Sequence, residues 1–279
     1  MNRLFQSLGV VVWAWRSVGA RAGHGRIWLP FLVIAAVQAL VLMLLLEFHQ
    51  PWLVPLAAPL VRLLGGEGAL HYPGLFYALP EMFFHANLVI TVVITSIAGA
   101  AATLFFARTY GFDSAPHAWR RALRAAPALV VATLVMVALM LGAARLATLV
   151  PERAMLENAA VRWGTRAGMM LLFVVIEALF AYTTAWIVLM GHRIWPSIRD
   201  SIRVTVRTLL PTLLVVGVPT VLLFPLSYAA SRIDVLAEKF RPELVGGILG
   251  AQIVLQILFT FLVVGAVTRL FLWRMEAAR

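Results

Sequence analysis

An apolar run of about 20 residues recurs six times within the 279 residues of this chain. Each run, coiled as a helix, is long enough to cross roughly 30 Å of hydrocarbon. A soluble core of this size has no room for six of them. The chain is 62% hydrophobic and 13% charged, with a mean hydropathy of +0.93. A soluble domain carries about 25% charged residues, so an ordinary globular fold is excluded. The expected fold class is all-α: a polytopic transmembrane helix bundle forming a single integral membrane domain over residues 1–279. The runs place spans at Ile27–Phe48, Met82–Phe106, Ala128–Val150, Met169–Met190, Leu209–Ala230 and Gly246–Val267, the last with room to extend to Leu272. Extension would set Arg269 at the interface, where a long side chain snorkels.

Charge sorts the connections into two classes. The N-terminal segment, the 2–3 and 4–5 connections and the C-terminal segment together hold 15 Lys and Arg with three acidic residues. The alternate connections hold eight of each sign, and Glu177 is left inside a span. Basic residues stay on the cytoplasmic side, so both termini are expected in the cytoplasm and the chain in a cytoplasmic (inner) bacterial membrane. The net charge of +11 is therefore a topology signal rather than a nucleic-acid footprint, because the arginines are scattered between spans and form no basic tail. Without cysteine, disulfides, thiolate metal sites and a cysteine nucleophile are ruled out. Leu4 to Trp15 has an apolar stretch like a signal peptide, but no small-residue cleavage site follows, and the segment is expected to be retained.

A weak threefold repeat runs through the odd-numbered spans, with units at 1–108, 109–190 and 191–279. Trp15-Arg16-Ser17 precedes Pro30, Phe112-Asp113-Ser114 precedes Pro127, and Trp195-Pro196-Ser197 precedes Pro211, at Ser-to-Pro distances of 13, 13 and 14 residues. Serine suits an N-cap and proline the first turn of the helix it opens. Each unit thus reads as a short interfacial helix, a proline bend and a transmembrane hairpin. The interfacial helices show in the periodicity. Arg199, Arg203 and Arg207 recur every four residues beside an apolar stripe of Ile198, Ile202 and Leu209. His117, Arg121 and Arg124 share a face, with Trp119, Ala122, Leu123 and Ala126 on another; Leu4, Leu8, Val11, Val12 and Trp15 line the first helix. Between the first two spans, Pro51 to Leu64 is apolar but too short to cross, and its three prolines at four-residue spacing are expected to interrupt a helix. The glycines of Gly65–Gly68 should give a flexible turn.

These residues resemble a loose group of bacterial six-helix membrane proteins that includes the membrane domain attached to some glycerophosphodiester phosphodiesterases. The resemblance covers most of the chain. It implies the six-helix architecture and no catalytic residues, since the phosphodiesterase domain itself does not accompany it here.

Glu177 is the sharpest candidate, near the middle of the fourth span within Leu171–Ile176 and Ala178–Ala181. A carboxylate there costs roughly 2.5–3.5 kcal/mol on insertion scales, so it marks either a proton-relay or substrate contact or a carboxyl satisfied by Thr183, Thr184, Gln252 or Gln256. Arg145, toward the outer end of the third span, is its candidate partner; snorkelling to the interface is the alternative. Pro219 and Pro225 in the fifth span are candidate hinges. Arg120, Arg121, Arg124, Arg199, Arg203 and Arg207 are candidate contacts for anionic headgroups or for a soluble or membrane protein partner. Glu81 and His85 stand at helical spacing, yet no third metal ligand and no His-Glu-x-x-His motif follow, so neither metal nor cofactor is expected. Without a nucleophile elbow or paired carboxylates in a span, a non-enzymatic transport or lipid-handling component is the leading reading. It would act alone or as the permease-like subunit of a larger complex; a scaffold or assembly factor is the alternative, and a membrane-embedded lipid-modifying enzyme follows behind it.

The charge pattern makes a direct prediction. Alkaline phosphatase fused after Arg279 should be inactive and a fluorescent protein fused there bright; an active phosphatase fusion would reverse the orientation.

Overall fold

We describe the chain from a computed structural model, covering residues 2–47, 49–72, 74–112, 117–151, 157–230, 232 and 243–276. Among these residues the protein is all-α, and six helices are long and apolar enough to cross a membrane. Helix α1 (Asn2–Gly19) precedes α2 (Gly25–Leu46), the first span. A short α3 (Val54–Gly65) and one 3-10 turn (Glu67–Leu70) lead to α4 (Gly74–Ile90), which runs through a π turn (Thr91–Thr95) into α5 (Ser96–Thr109) as the second span. Then come α6 (Ala118–Arg124) and the third span α7 (Ala126–Ala147). The fourth span is two helices, α8 (Ala159–Phe180) and α9 (Thr183–Met190). Helix α10 (Ile194–Arg207) precedes the fifth span α11 (Leu209–Ala230), and α12 (Leu244–Glu276) is the sixth.

Span number and order match the apolar runs, but several boundaries move. The second span starts at Gly74 rather than Met82, the fourth at Ala159 rather than Met169, and the last reaches Glu276. Helices outrun their apolar stretches because polar ends such as Arg162 and Arg274 continue the hydrogen-bond ladder past the hydrocarbon. The Pro51–Leu64 stretch is also more helical than its prolines suggest. Pro51 lies before α3, Pro55 sits in the first turn where no amide donor is needed, and Pro59 alone costs a ladder bond. The serines do not cap. Ser17 Oγ donates to the Trp13 and Ala14 carbonyls and Ser197 Oγ to that of Arg193, each from inside its own helix. Pro30 lies in the second turn of α2, not at its start, whereas Pro127 does open α7. Asp113 and Ser114 of the middle unit lie outside the described residues.

The chain forms two compact units, one of residues 1–28, 96–220 and 262–279, the other of 29–95 and 221–261. The second unit holds α3 against α4. Gly65 makes that packing possible, since a Cβ there would meet Ala69, Ala78 and Met82 at 2.7–3.1 Å, and Gly66 turns the chain at φ 72°. The turn is thus a packed corner rather than a flexible one. In the same unit Gln38, 1% exposed, donates to Asn87 Oδ1 at 2.7 Å, and Phe31 meets Phe261 edge-on.

The first unit gathers α1, α6 and α10 with the end of α12. Helix α1 packs inward along Val11, Ala14 and Val18, while Leu8 and Val12 of the expected stripe are exposed. Arg269 does not snorkel outward. Its guanidinium lies 4.5 Å over the Trp13 ring and 5.3 Å over the Tyr110 ring, and that of Arg21 lies 4.4 Å over Tyr110 as well. Arg21 Nε donates to the Thr109 carbonyl, and the Tyr110 hydroxyl to that of Gly265. Burial pushes the Tyr110 phenol up to about 12 despite both arginines, so it remains a donor at any physiological pH.

Gly265 is the tight point of this unit: a Cβ would fall 2.8–2.9 Å from Phe106 and Val18. Gly265→Ala should lower stability by about 1–3 kcal/mol in detergent unfolding, whereas Gly250→Ala, facing open space, should be neutral or slightly stabilising.

Candidate functional site: the broken fourth span

Within the first unit, the fourth span is interrupted at Ala181–Tyr182. Tyr182 has φ −91° and ψ −5°, at the edge of the helical region, and the Ala181 amide bonds only three residues back, to Ala178. No glycine or proline occurs between Phe180 and Thr184 to cause this. The cause is a side chain inserted into the ladder. Ser201 Oγ accepts from the Tyr182 amide at 3.2 Å and donates to the Leu179 carbonyl at 2.7 Å. One turn along α10, Thr205 Oγ1 donates to the Ala178 carbonyl at 2.8 Å. Two hydroxyls therefore bond the backbone groups that the break frees, which hydrocarbon would leave unpaired at a cost of several kcal/mol each.

Helix α10 is built for this contact. Around its axis Ser197, Ser201 and Thr205 fall four residues apart and are fully buried, joined by Ile198. Arg199, Arg203 and Arg207 occupy the opposing exposed face. Trp195, Ile202 and Val206 are exposed on a third, apolar side. The protein-facing stripe is thus hydroxyl, and of the apolar stripe beside the arginines Ile198 is buried while Ile202 and Leu209 are exposed. Spacing of small hydroxyl residues, Ser197, Ser201, Thr205 and Thr208, was the signal that could have found the face.

The hydroxyl chain continues past the break. Tyr182, 0% exposed, places its OH 2.7 Å from Thr212 Oγ1, and Thr208 Oγ1 stands 3.1 Å from Thr212 and 3.5 Å from the phenol. Thr183 Oγ1 is buried beside the break with no partner among the described residues. Below it, α9 closes with Gly191 at φ 70°, and Trp186 is held between His192, stacked at 4.8 Å, and Phe271 edge-on at 5.2 Å.

Glu177 sits one residue before the first bridged carbonyl and is partly buried on α8. It makes no hydrogen bond or ion pair with the described residues, and neither Thr183 nor Arg145 satisfies it. Arg145 is exposed in the last turn of α7, where a cation meets the negative end of the helix and its open carbonyls. Pro219 and Pro225 lie inside α11, which is assigned as helix through both; Gly217 lets it approach α8, since a Cβ there would be 3.1 Å from Val174. Arg199 and Arg203 flank Asp200 at 3.6 and 3.4 Å, and His192 lies 3.7 Å from the same carboxylate. Arg120 and Arg124 are exposed, while Arg121 reaches the Leu189 carbonyl at 3.2 Å. His85 Nδ1 donates to the Glu81 carbonyl at 2.8 Å rather than joining its carboxylate in a ligand set. No protein family, curated protein or solved structure matched the chain when it was compared with them.

Ser201→Ala and Thr205→Val should each cost about 1–2 kcal/mol in unfolding from detergent and be coupled when combined. Thr220→Val, whose hydroxyl bonds only the Val216 carbonyl of its own helix, is the control and should change little.

Proposed function

We infer that this chain is an integral membrane protein, on the strength of six apolar helices long enough to span a membrane. We propose that it moves or handles a lipid or another amphipathic solute across or within a cytoplasmic membrane, with both termini in the cytoplasm. The observation that carries this reading is the discontinuous fourth span, with Glu177 one turn before its break. Broken helices at membrane depth are built where a pathway or a movable joint is needed, because side chains must replace the lost backbone bonds. Here the replacement comes from α10, a helix whose other two sides are arginine and lipid-facing apolar residues. A shift of α10 against the headgroups would be felt directly at the Ala178 and Leu179 carbonyls. Glu177 supplies an ionisable group beside that joint, suited to accepting a proton or contacting a polar headgroup. Pro219 offers a second weak point in the ladder of α11.

The row of exposed Arg199, Arg203 and Arg207 favours a second reading, in which the chain is a membrane subunit or scaffold that docks an acidic soluble partner. Kinship with the six-helix membrane domains attached to glycerophosphodiester phosphodiesterases is part of the proposal as well. It is supported by the order of a short helix followed by a span, repeated at α1–α2, α6–α7 and α10–α11.

Purified protein in vesicles should speed transfer of a fluorescent phospholipid between leaflets, read as the fraction accessible to an external quencher. Glu177→Gln should slow it about tenfold, the effect of roughly 1.4 kcal/mol on the barrier. Transfer equal to that of protein-free vesicles would reject movement of lipid. A complex recovered from native membranes that still works with Glu177→Gln would favour the scaffold.

A further inference from the structure

The two arginine-bearing helices of the first unit differ in how their charge is met. On α10, Asp200 lies within 3.6 Å of both Arg199 and Arg203. On α6 no carboxylate among the described residues stands within ion-pair distance of Arg120, Arg121 or Arg124, which crowd three guanidiniums into two helical turns. Like charges at this spacing oppose helix formation. They are tolerated where an anion joins them.

A cavity of about 340 Å³ is lined by His117, Arg120, Arg121 and Arg124, at the small end of the roughly 300–1,000 Å³ that small-molecule sites occupy. One of its walls is already fixed. Arg121 donates through one terminal nitrogen to the Leu189 carbonyl, in the last turn of α9, which orients its plane and leaves its remaining donors available. Arg120 and Arg124 follow at i and i+4, so their planar forks project from one side of the helix a single turn apart. Planar forks match the oxygens of a phosphate in pairs, which a lysine's point charge does not. Beside the basic wall, Leu123 is 58% exposed and Trp119 is half-buried, giving the same short helix an apolar flank.

We propose that this cavity is a phosphate oxyanion site, and that its ligand is a phosphomonoester headgroup of an anionic lipid. The four basic groups call for a doubly charged oxyanion and would repel the ammonium of a zwitterionic headgroup. The flank of Leu123 and Trp119 favours a ligand that carries acyl chains over free phosphate. This deepens the lipid-handling reading and rests on it only for the source of the phosphate. The contact of Arg121 with α9 places the headgroup on the element that follows the break in the fourth span.

The test uses the full chain in nanodiscs of zwitterionic lipid, titrated calorimetrically with dihexanoyl phosphatidic acid, dihexanoyl phosphatidylcholine and inorganic phosphate. Saturable binding of the phosphatidic acid, none of the phosphatidylcholine, and weaker or no binding of inorganic phosphate are expected. The exposed pair Arg120→Ala/Arg124→Ala should weaken phosphatidic acid binding at least about tenfold, the loss of one charge-assisted contact or more. Arg199→Ala/Arg203→Ala should change it less than about twofold. Inorganic phosphate binding as tightly and competing would keep the oxyanion site but overturn the lipid as its source. Absence of saturable binding, or equal losses in the two double variants, would overturn the site. Binding does not require transfer, so a protein that takes phosphatidic acid yet moves no lipid would reject the transport reading and leave this one standing.

Discussion

A backbone amide or carbonyl in hydrocarbon must find its partner within the protein, and the architecture of this chain follows from that requirement. It makes the spans helical. It also makes any interruption of a span informative, because something has to replace each lost bond. At Ala181–Tyr182 the replacements are Ser201 and Thr205, 22 and 27 residues further along the chain from the carbonyls they reach. The break and the helix that bridges it are therefore one structural device. Each supplies what the other lacks: α10 brings hydroxyls that need acceptors, and the fourth span presents carbonyls that need donors.

The same unit concentrates the cationic chemistry of the chain. Arg21 and Arg269 are used internally, over Tyr110 and Trp13, where aromatic faces replace the carboxylates that the segment lacks. Arg121 is spent on the end of α9. Arg120, Arg124, Arg199, Arg203 and Arg207 are exposed. This division explains why a high arginine content does not act as one uniform basic surface. Some guanidiniums hold helices together, and others are exposed. Helix α9 is joined at one end to the break and at the other to Arg121.

What could be read in advance divides along physical lines. Six spans were legible because run length and hydropathy are local properties, set by stretches such as Ala128–Val150 without reference to the rest of the chain. The helices α6 and α10 were legible from arginine periodicity. The helical course of Val54–Gly65 was not, since counting prolines ignores that Pro55 occupies a first turn where its missing donor costs nothing. The inward faces of α1 and α10 were not legible from the apolar pattern, because valines and isoleucines occur on both sides: Val11 and Ile198 pack beside Ala14, Ser201 and Thr205, while Val12 and Val206 are exposed. Glu177 stood out as an ionisable residue in a span, but the break beside it was hidden. Phe180–Thr184 contains neither glycine nor proline, and the cause lies in a hydroxyl on another helix.

The central claim is that Ser201 holds the fourth span open at Tyr182, and backbone carbon chemical shifts measured by magic-angle-spinning NMR on the protein in bilayers test it most directly. Tyr182 should show a ψ near −5°, displaced from the roughly −42° of a regular helix, and Ser201→Ala should move its shifts toward those of a continuous helix. Uniformly helical shifts from Ala178 to Thr184 in the unsubstituted protein, unchanged by Ser201→Ala, would contradict the account.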